Sequence, residues 1–123
     1  MGAETSGDSE PVRAAQVQKF GVLTMTSERE GDIHVIALSG EIDLANAFDV
    51  EAELERVEAT DAGAIVVDLS GLQFIDSTGL RVLVAADARS RADSSRLSLL
   101  RPPDRVLRIF NISGFADRLP FAD

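Results

Sequence analysis

Residues Val66 to Ala86 read VVDLSGLQFIDSTGLRVLVAA, and this stretch decides the fold. Its start belongs to AIVVDLSG (64–71), a short apolar run rich in β-branched residues. Such a run predicts a strand buried on both faces, as in a parallel sheet. The strand is expected to end near Leu69, with Leu72 to Gly79 as the link to a helix. That helix, GLRVLVAADARSRA (79–92), is strongly apolar in its first half. Asp76-Ser77-Thr78-Gly79 therefore stands at a helix mouth. Residues of these types commonly cap helices, because a side-chain oxygen satisfies one of the first free N–H groups. Those N–H groups and the partial positive charge of the helix end also stabilise an anion, phosphate included. The motif thus reads either as a plain cap or as a serine whose surface hydroxyl accepts a phosphate. Gly79 is expected to ease the approach of a partner or modifying enzyme, and Leu80 to begin the buried face.

Upstream, FGVLTMTSE (20–28) and IHVIALSG (33–40) read as two strands joined by a glycine-containing turn, an antiparallel hairpin. A helix is expected over Ala47 to Ala59, capped by Asn46, with Phe48, Ala52, Leu54 and Val57 as its apolar stripe. Glu51, Glu53, Glu55 and Glu58 read as its solvated face. Downstream, LSLLRP (97–102) is a fourth strand. Pro102, Pro103 and Asp104 open a third helix, closed by Gly114. FADRLPFAD holds a last short strand or turn. The order β-β-α-β-α-β-α predicts an α/β domain: one sheet of four or five mostly parallel strands, the first antiparallel, with helices packed on it. If successive strands are neighbours, right-handed crossovers put the helices on one face. Residues 1–19, small, polar and non-periodic, are expected to form a disordered or loosely docked arm, and 20–123 the domain.

Composition narrows the function. A chain of 123 residues is enough for one domain. Its net charge of −9 disfavours nucleic acid and anionic membranes as partners, both of which need a positive surface. Phe is the only aromatic residue type, which argues against base or sugar stacking. The absence of cysteine removes thiol nucleophiles and thiolate metal sites. There is no signal-like N-terminus and no long apolar span, so a cytoplasmic location is expected. A serine hydrolase would need a base, and the single histidine, His34, stands mid-strand, where an exposed or half-buried role is expected. Asp-Ser-Thr-Gly differs by one residue from the aspartic-protease pattern, and one copy cannot pair two carboxylates. Phosphate-cradling glycine loops are missing. Asp43, Asp68 and Asp76 could meet at one edge around a divalent cation, but capping and solvation explain each acid more simply. Neither a metal nor a cofactor is expected, and neither is catalysis.

A second marker, Gly40-Glu41-Ile42-Asp43, ends the second strand. In a parallel sheet the loops after adjacent strands lie side by side, so Asp43 and Ser77 should share an edge. With Val66-Val67-Asp68-Leu69-Ser70, then Phe74-Ile75-Asp76-Ser77-Thr78-Gly79-Leu80, and the closing VLRIFNISGF, the pattern resembles the anti-sigma factor antagonists of the STAS fold. The resemblance covers roughly Met25 to Leu119 and implies the following. The unphosphorylated protein would bind an anti-sigma factor that is a serine kinase, freeing a sigma factor. The kinase would phosphorylate Ser77, with Thr78 as secondary candidate, and the pair would separate. A metal-dependent serine phosphatase would restore the active form. The partner-binding edge would comprise Asp43, Asp76, Ser77, Thr78, Gly79 and Leu80, on a monomer or weak dimer. The alternative within the fold is a STAS adaptor domain in a transport or stress-sensing assembly, without such a kinase.

Overall fold

The computed structural model describes residues 16–122. They form a six-stranded sheet in sequential order: β1 (Gln16–Phe20), β2 (Leu23–Glu30), β3 (Ile33–Ile42), β4 (Ala64–Ile75), β5 (Leu97–Leu100) and β6 (Phe121–Ala122). The β1–β2 and β2–β3 pairs are antiparallel, and the remaining three pairs are parallel. Helices α1 (Ala47–Glu58), α2 (Ser77–Asp93) and α3 (Asp104–Ser113) fill the three parallel crossovers. The class is as expected, with six strands in place of four or five.

Both extra strands are edges. Gly21, at φ +64°, and Val22 make a two-residue turn between β1 and β2, so the expected first strand breaks at its glycine. Residues 16–19 of the expected arm are therefore strand, while residues 1–15 lie outside those described. At the other edge Phe121–Ala122 pairs with Leu99–Leu100, and the Phe121 ring meets Phe110 edge-on at 5.6 Å.

Right-handed crossovers between sequential strands place all three helices on one face. Burial agrees. Ile36 and Leu38, Ile65, Val67 and Leu69, and Leu97 and Leu99 are buried. Their alternates Val35, Ala37, Val66, Asp68 and Ser98 are only half-buried, and Leu100 is exposed. β4 is thus covered on one face, not both. Its apolar run reflects a second face of intermediate exposure rather than a second helical layer. Each fully buried Leu contributes roughly 2–3 kcal/mol relative to exposure.

The acidic run of α1 is not a uniform solvated face. The Arg89 guanidinium, from α2, meets Glu58 at 2.8 Å and approaches Glu51 and Glu55 at 4.0 and 3.9 Å, clamping the two helices. Arg96 donates to the carbonyls of Glu58, Thr60 and Ala62, closing the end of α1. Glu53 is buried under the sheet. There the Ser27 hydroxyl donates to Glu53 Oε2 at 2.6 Å and lies 2.6 Å from His34 Nε2. Since the Ser27 proton goes to Glu53, His34 must donate from Nε2. His34, expected to be exposed or half-buried, is buried on the helix face, and its carboxylate neighbour bonds serine rather than imidazole, so this cluster lacks the order of a serine–histidine–carboxylate relay. Arg56 completes the cluster by pairing with Glu53.

This cluster predicts a two-stage acid response. Burial, then the nearby Arg56, hold the His34 pKa below its ordinary value, against the opposing pull of Glu53. The folded state therefore favours neutral imidazole, and its stabilising effect is complete above the unfolded pKa of about 6.5 and is lost as pH falls below it. The hydrogen bond from Arg56 holds the Glu53 pKa down despite burial, so its contribution fades only at lower pH, below the ordinary carboxylate range. Thermal melts across pH should show stability falling first below about 6.5. The variant His34→Gln should flatten that first stage and keep the second; an unchanged first stage would contradict the assignment.

Candidate functional site

The C-terminal ends of β3 and β4 carry the site. β4 does not stop near Leu69. Its ladder with β3 continues past register shifts between Ala37 and Ser39 and between Gly40 and Glu41, ending with Glu41 opposite Phe74 and Ile42 opposite Ile75. No loop separates β4 from α2. Asp76 alone links them, and Ser77 is the first residue of the helix.

Asp76 is the cap. Its Oδ1 accepts from Gly79 N at 3.0 Å, and its Oδ2 accepts from Leu44 N at 3.1 Å. Its own N–H donates to the Ile42 carbonyl. This one residue starts α2 and ties it to the turn that carries Asp43, so Asp43 and Ser77 do share an edge. With capping done by Asp76, the Ser77 hydroxyl is spared. Ser77 is exposed, and among the described residues its side chain makes no hydrogen bond. Thr78 is half-buried and therefore less open to modification.

Gly79 and Leu80 do not present themselves to a partner. Both are buried, and a Cβ on Gly79 would lie 2.7 Å from Ile75 Cγ1 and 2.8 Å from Ile42 Cγ2. The glycine lets α2 seat on the sheet rather than opening the surface to an approaching protein.

The turn after β3 is built by Asn46, whose residue type suggests an ordinary cap. It is only 2% exposed, and its side chain caps no helical N–H. Instead its Oδ1 accepts from Asp43 N at 2.9 Å, while Nδ2 donates to the carbonyls of Glu41 and Phe20. Asp43 Oδ1 accepts from Ala45 N, and the side chain remains half-buried. Asn46 thereby locks the acidic turn to both β3 and the β1–β2 hairpin.

Apolar groups surround this edge. Leu44, Phe48 and Phe74 are 66%, 64% and 43% exposed. Phe48 is not in the core stripe of α1, which runs through Ala47, Val50, Leu54 and Val57. Two features of the sequence point to this: Phe48 falls outside that i, i+3, i+7 spacing, and Leu44 sits in a turn with no core to face. Asp43, Asp68 and Asp76 do not assemble, and among the described residues no group of three metal-ligating side chains comes together. Among the described residues no helix is long and apolar enough to cross a membrane.

Comparison with known proteins agrees with this architecture. A family model described as "Mlab, STAS domain" matches residues 25–120. An anti-sigma-B factor antagonist of Listeria monocytogenes is 37% identical over 90 residues, covering 73% of this chain and 79% of that protein. The crystal structure of an anti-sigma factor antagonist from Mycobacterium paratuberculosis superposes with a TM-score of 0.71 at 26% identity, covering 80% of this chain and 84% of the other. Unphosphorylated SpoIIAA shares the fold at a TM-score of 0.61 and 22% identity, covering 89% of each chain. With the family match spanning most of β2, all of β3 to β5, the three helices and the Asp43–Ser77 edge, the chain belongs to the anti-sigma factor antagonist family of STAS domains.

Proposed function

We propose that this protein is the phosphorylation-controlled partner of an anti-sigma factor that is itself a serine kinase. In the unphosphorylated form it docks on that kinase through the edge bearing Asp43, Asp76 and Ser77, and a sigma factor is released. Transfer of phosphate to Ser77 ends the complex, and a metal-dependent serine phosphatase regenerates the binding form. The observation that carries this reading is the exposed, unbonded Ser77 hydroxyl on a helix already capped by Asp76. A serine needed as a cap would be held by the helix; this one is spare. The exposed Leu44, Phe48 and Phe74 give the edge apolar surface to bury, which acidic groups alone would not provide. The relatives named as anti-sigma factor antagonists support the same partner class.

The test is a competition. The unphosphorylated protein, added to a complex of the host's serine-kinase anti-sigma factor with its sigma factor, should displace the sigma factor. The double variant Leu44→Ala/Phe48→Ala should bind the kinase at least tenfold more weakly, since burying two such side chains is worth well over 1.4 kcal/mol. Its melting temperature should be nearly unchanged, because both side chains are exposed. Failure of the parent protein to bind any such kinase of its host would favour the adaptor role.

A further inference from the structure

Arg81 lies one turn beyond Ser77 in α2 and is exposed. Residues four apart on a helix share a face, with Cβ atoms about 5–6 Å apart. Arg29, Arg56, Arg89, Arg91 and Arg96 each pair with a carboxylate. Arg81 makes no ion pair or hydrogen bond among the described residues, and the first turn of α2 contains no acidic residue. The acid nearest to Arg81 in sequence is the cap Asp76, whose two carboxylate oxygens already accept from Gly79 N and Leu44 N. Neither Ser77 nor Ala85, the residues four positions away, supplies a negative charge for Arg81 in the unmodified protein.

A phosphate on Ser77 would. It adds about −1.5 to −2 charge and three strong acceptor oxygens. It would stand N-terminal to the cation at i, i+4, the more favourable order for an intrahelical pair. A guanidinium offers a planar fork of donors that fits phosphate oxygens. We propose that Arg81 is a positioning residue that holds the phosphate of modified Ser77 against α2. The inference rests on the phosphorylation reading above and adds the group that recognises the product. Arg81 keeps the phosphate on the surface of the folded helix, offsets part of its charge, and slows its removal by a phosphatase.

Because phosphoserine can be installed at position 77 by genetic encoding, the test needs no kinase and stands even if the proposed partner is wrong. The probe is the phosphate itself, titrated by phosphorus NMR in the parent, Arg81→Gln and Arg81→Lys proteins. Pairing with Arg81 should lower the second phosphate pKa in the parent relative to Arg81→Gln by roughly 0.3 pH unit, the size of an i, i+4 ion pair. Arg81→Lys should recover part of the difference, and about 1 M salt should reduce it. Asp43 and Asp76 push the other way in all three proteins, so the difference isolates residue 81. Identical titrations in the parent and Arg81→Gln, each with a normal melt, would overturn the proposal. Should the glutamine variant fold poorly, Arg81→Ala takes its place, and a titration identical to the parent's overturns the proposal equally.

Discussion

Ser77→Asp is expected to weaken binding to the proposed anti-sigma kinase by at least tenfold while the melting temperature stays level or rises slightly. The two effects separate because of where Ser77 sits. It is the first residue of α2 and exposed, with capping performed by Asp76. A carboxylate there interacts favourably with the helix N-terminus, by about 0.3–1 kcal/mol, so the fold has no reason to suffer. The partner meets a charged, larger side chain where a neutral hydroxyl was, on an edge already holding Asp43 and Asp76. A loss of about 1.4 kcal/mol suffices for tenfold weaker binding. True phosphorylation adds more charge and bulk than aspartate and should weaken binding further. Ser77→Ala should accept no phosphate at this position and retain most of the affinity, giving an antagonist that stays on. Isothermal titration of the three proteins with the kinase checks the series. Equal affinities of parent and Ser77→Asp would mean that charge at this edge is not the switch.

Gly40→Ala is expected to be the most damaging small substitution among the glycines. Gly40 stands at φ +100°, and an added Cβ would fall on the backbone carbonyl oxygen of Val22. That carbonyl is fixed by the N–H of Glu41 at 3.2 Å, so it cannot swing aside as a side chain would. Backbone strain alone costs on the order of 1–3 kcal/mol, and the clash must also displace β2. A drop in melting temperature of more than about 10 °C follows for a domain of this size. Kinase binding should fall as well, since Asn46 anchors the Asp43 turn to the carbonyls of Phe20 and Glu41 on either side of the disturbed contact. Gly31→Ala is the control. Gly31 also has positive φ, but open space surrounds it, so a cost of only about 1 kcal/mol is expected. Similar melting temperatures for the two variants would contradict the close-approach account.

The alternation of strand and helix is legible in the sequence because periodicity and glycine placement report on the local backbone. So is the position of Ser77, since Asp76-Ser77-Thr78 follows a strand and precedes an apolar helical run. What fails to show depends on partners distant in sequence. Whether β4 is covered on one face or two depends on where three crossovers lie, not on its own residues. Glu53 resembles its acidic neighbours in α1, and only Ser27 and His34 across the sheet distinguish it. Asn46 has the composition of a cap, but its side chain is taken by Asp43, Glu41 and Phe20. Gly79 reads as an opening for a partner because Ile42 and Ile75, which enclose it, are brought there only by the register of β3 with β4. The edge strand β1 escapes detection because its burial pattern is exposed almost throughout, leaving no alternation to find.

Mapping the phosphate decides whether Ser77 is the switch. The purified protein is incubated with ATP and the serine-kinase anti-sigma factor of its own host, and the product is sequenced by tandem mass spectrometry. Under this assignment phosphate appears on Ser77, and the modified protein is no longer retained by the kinase. Phosphate on Thr78 or elsewhere with Ser77 unmodified, or a Ser77-phosphorylated protein that still binds as tightly as before, would contradict it.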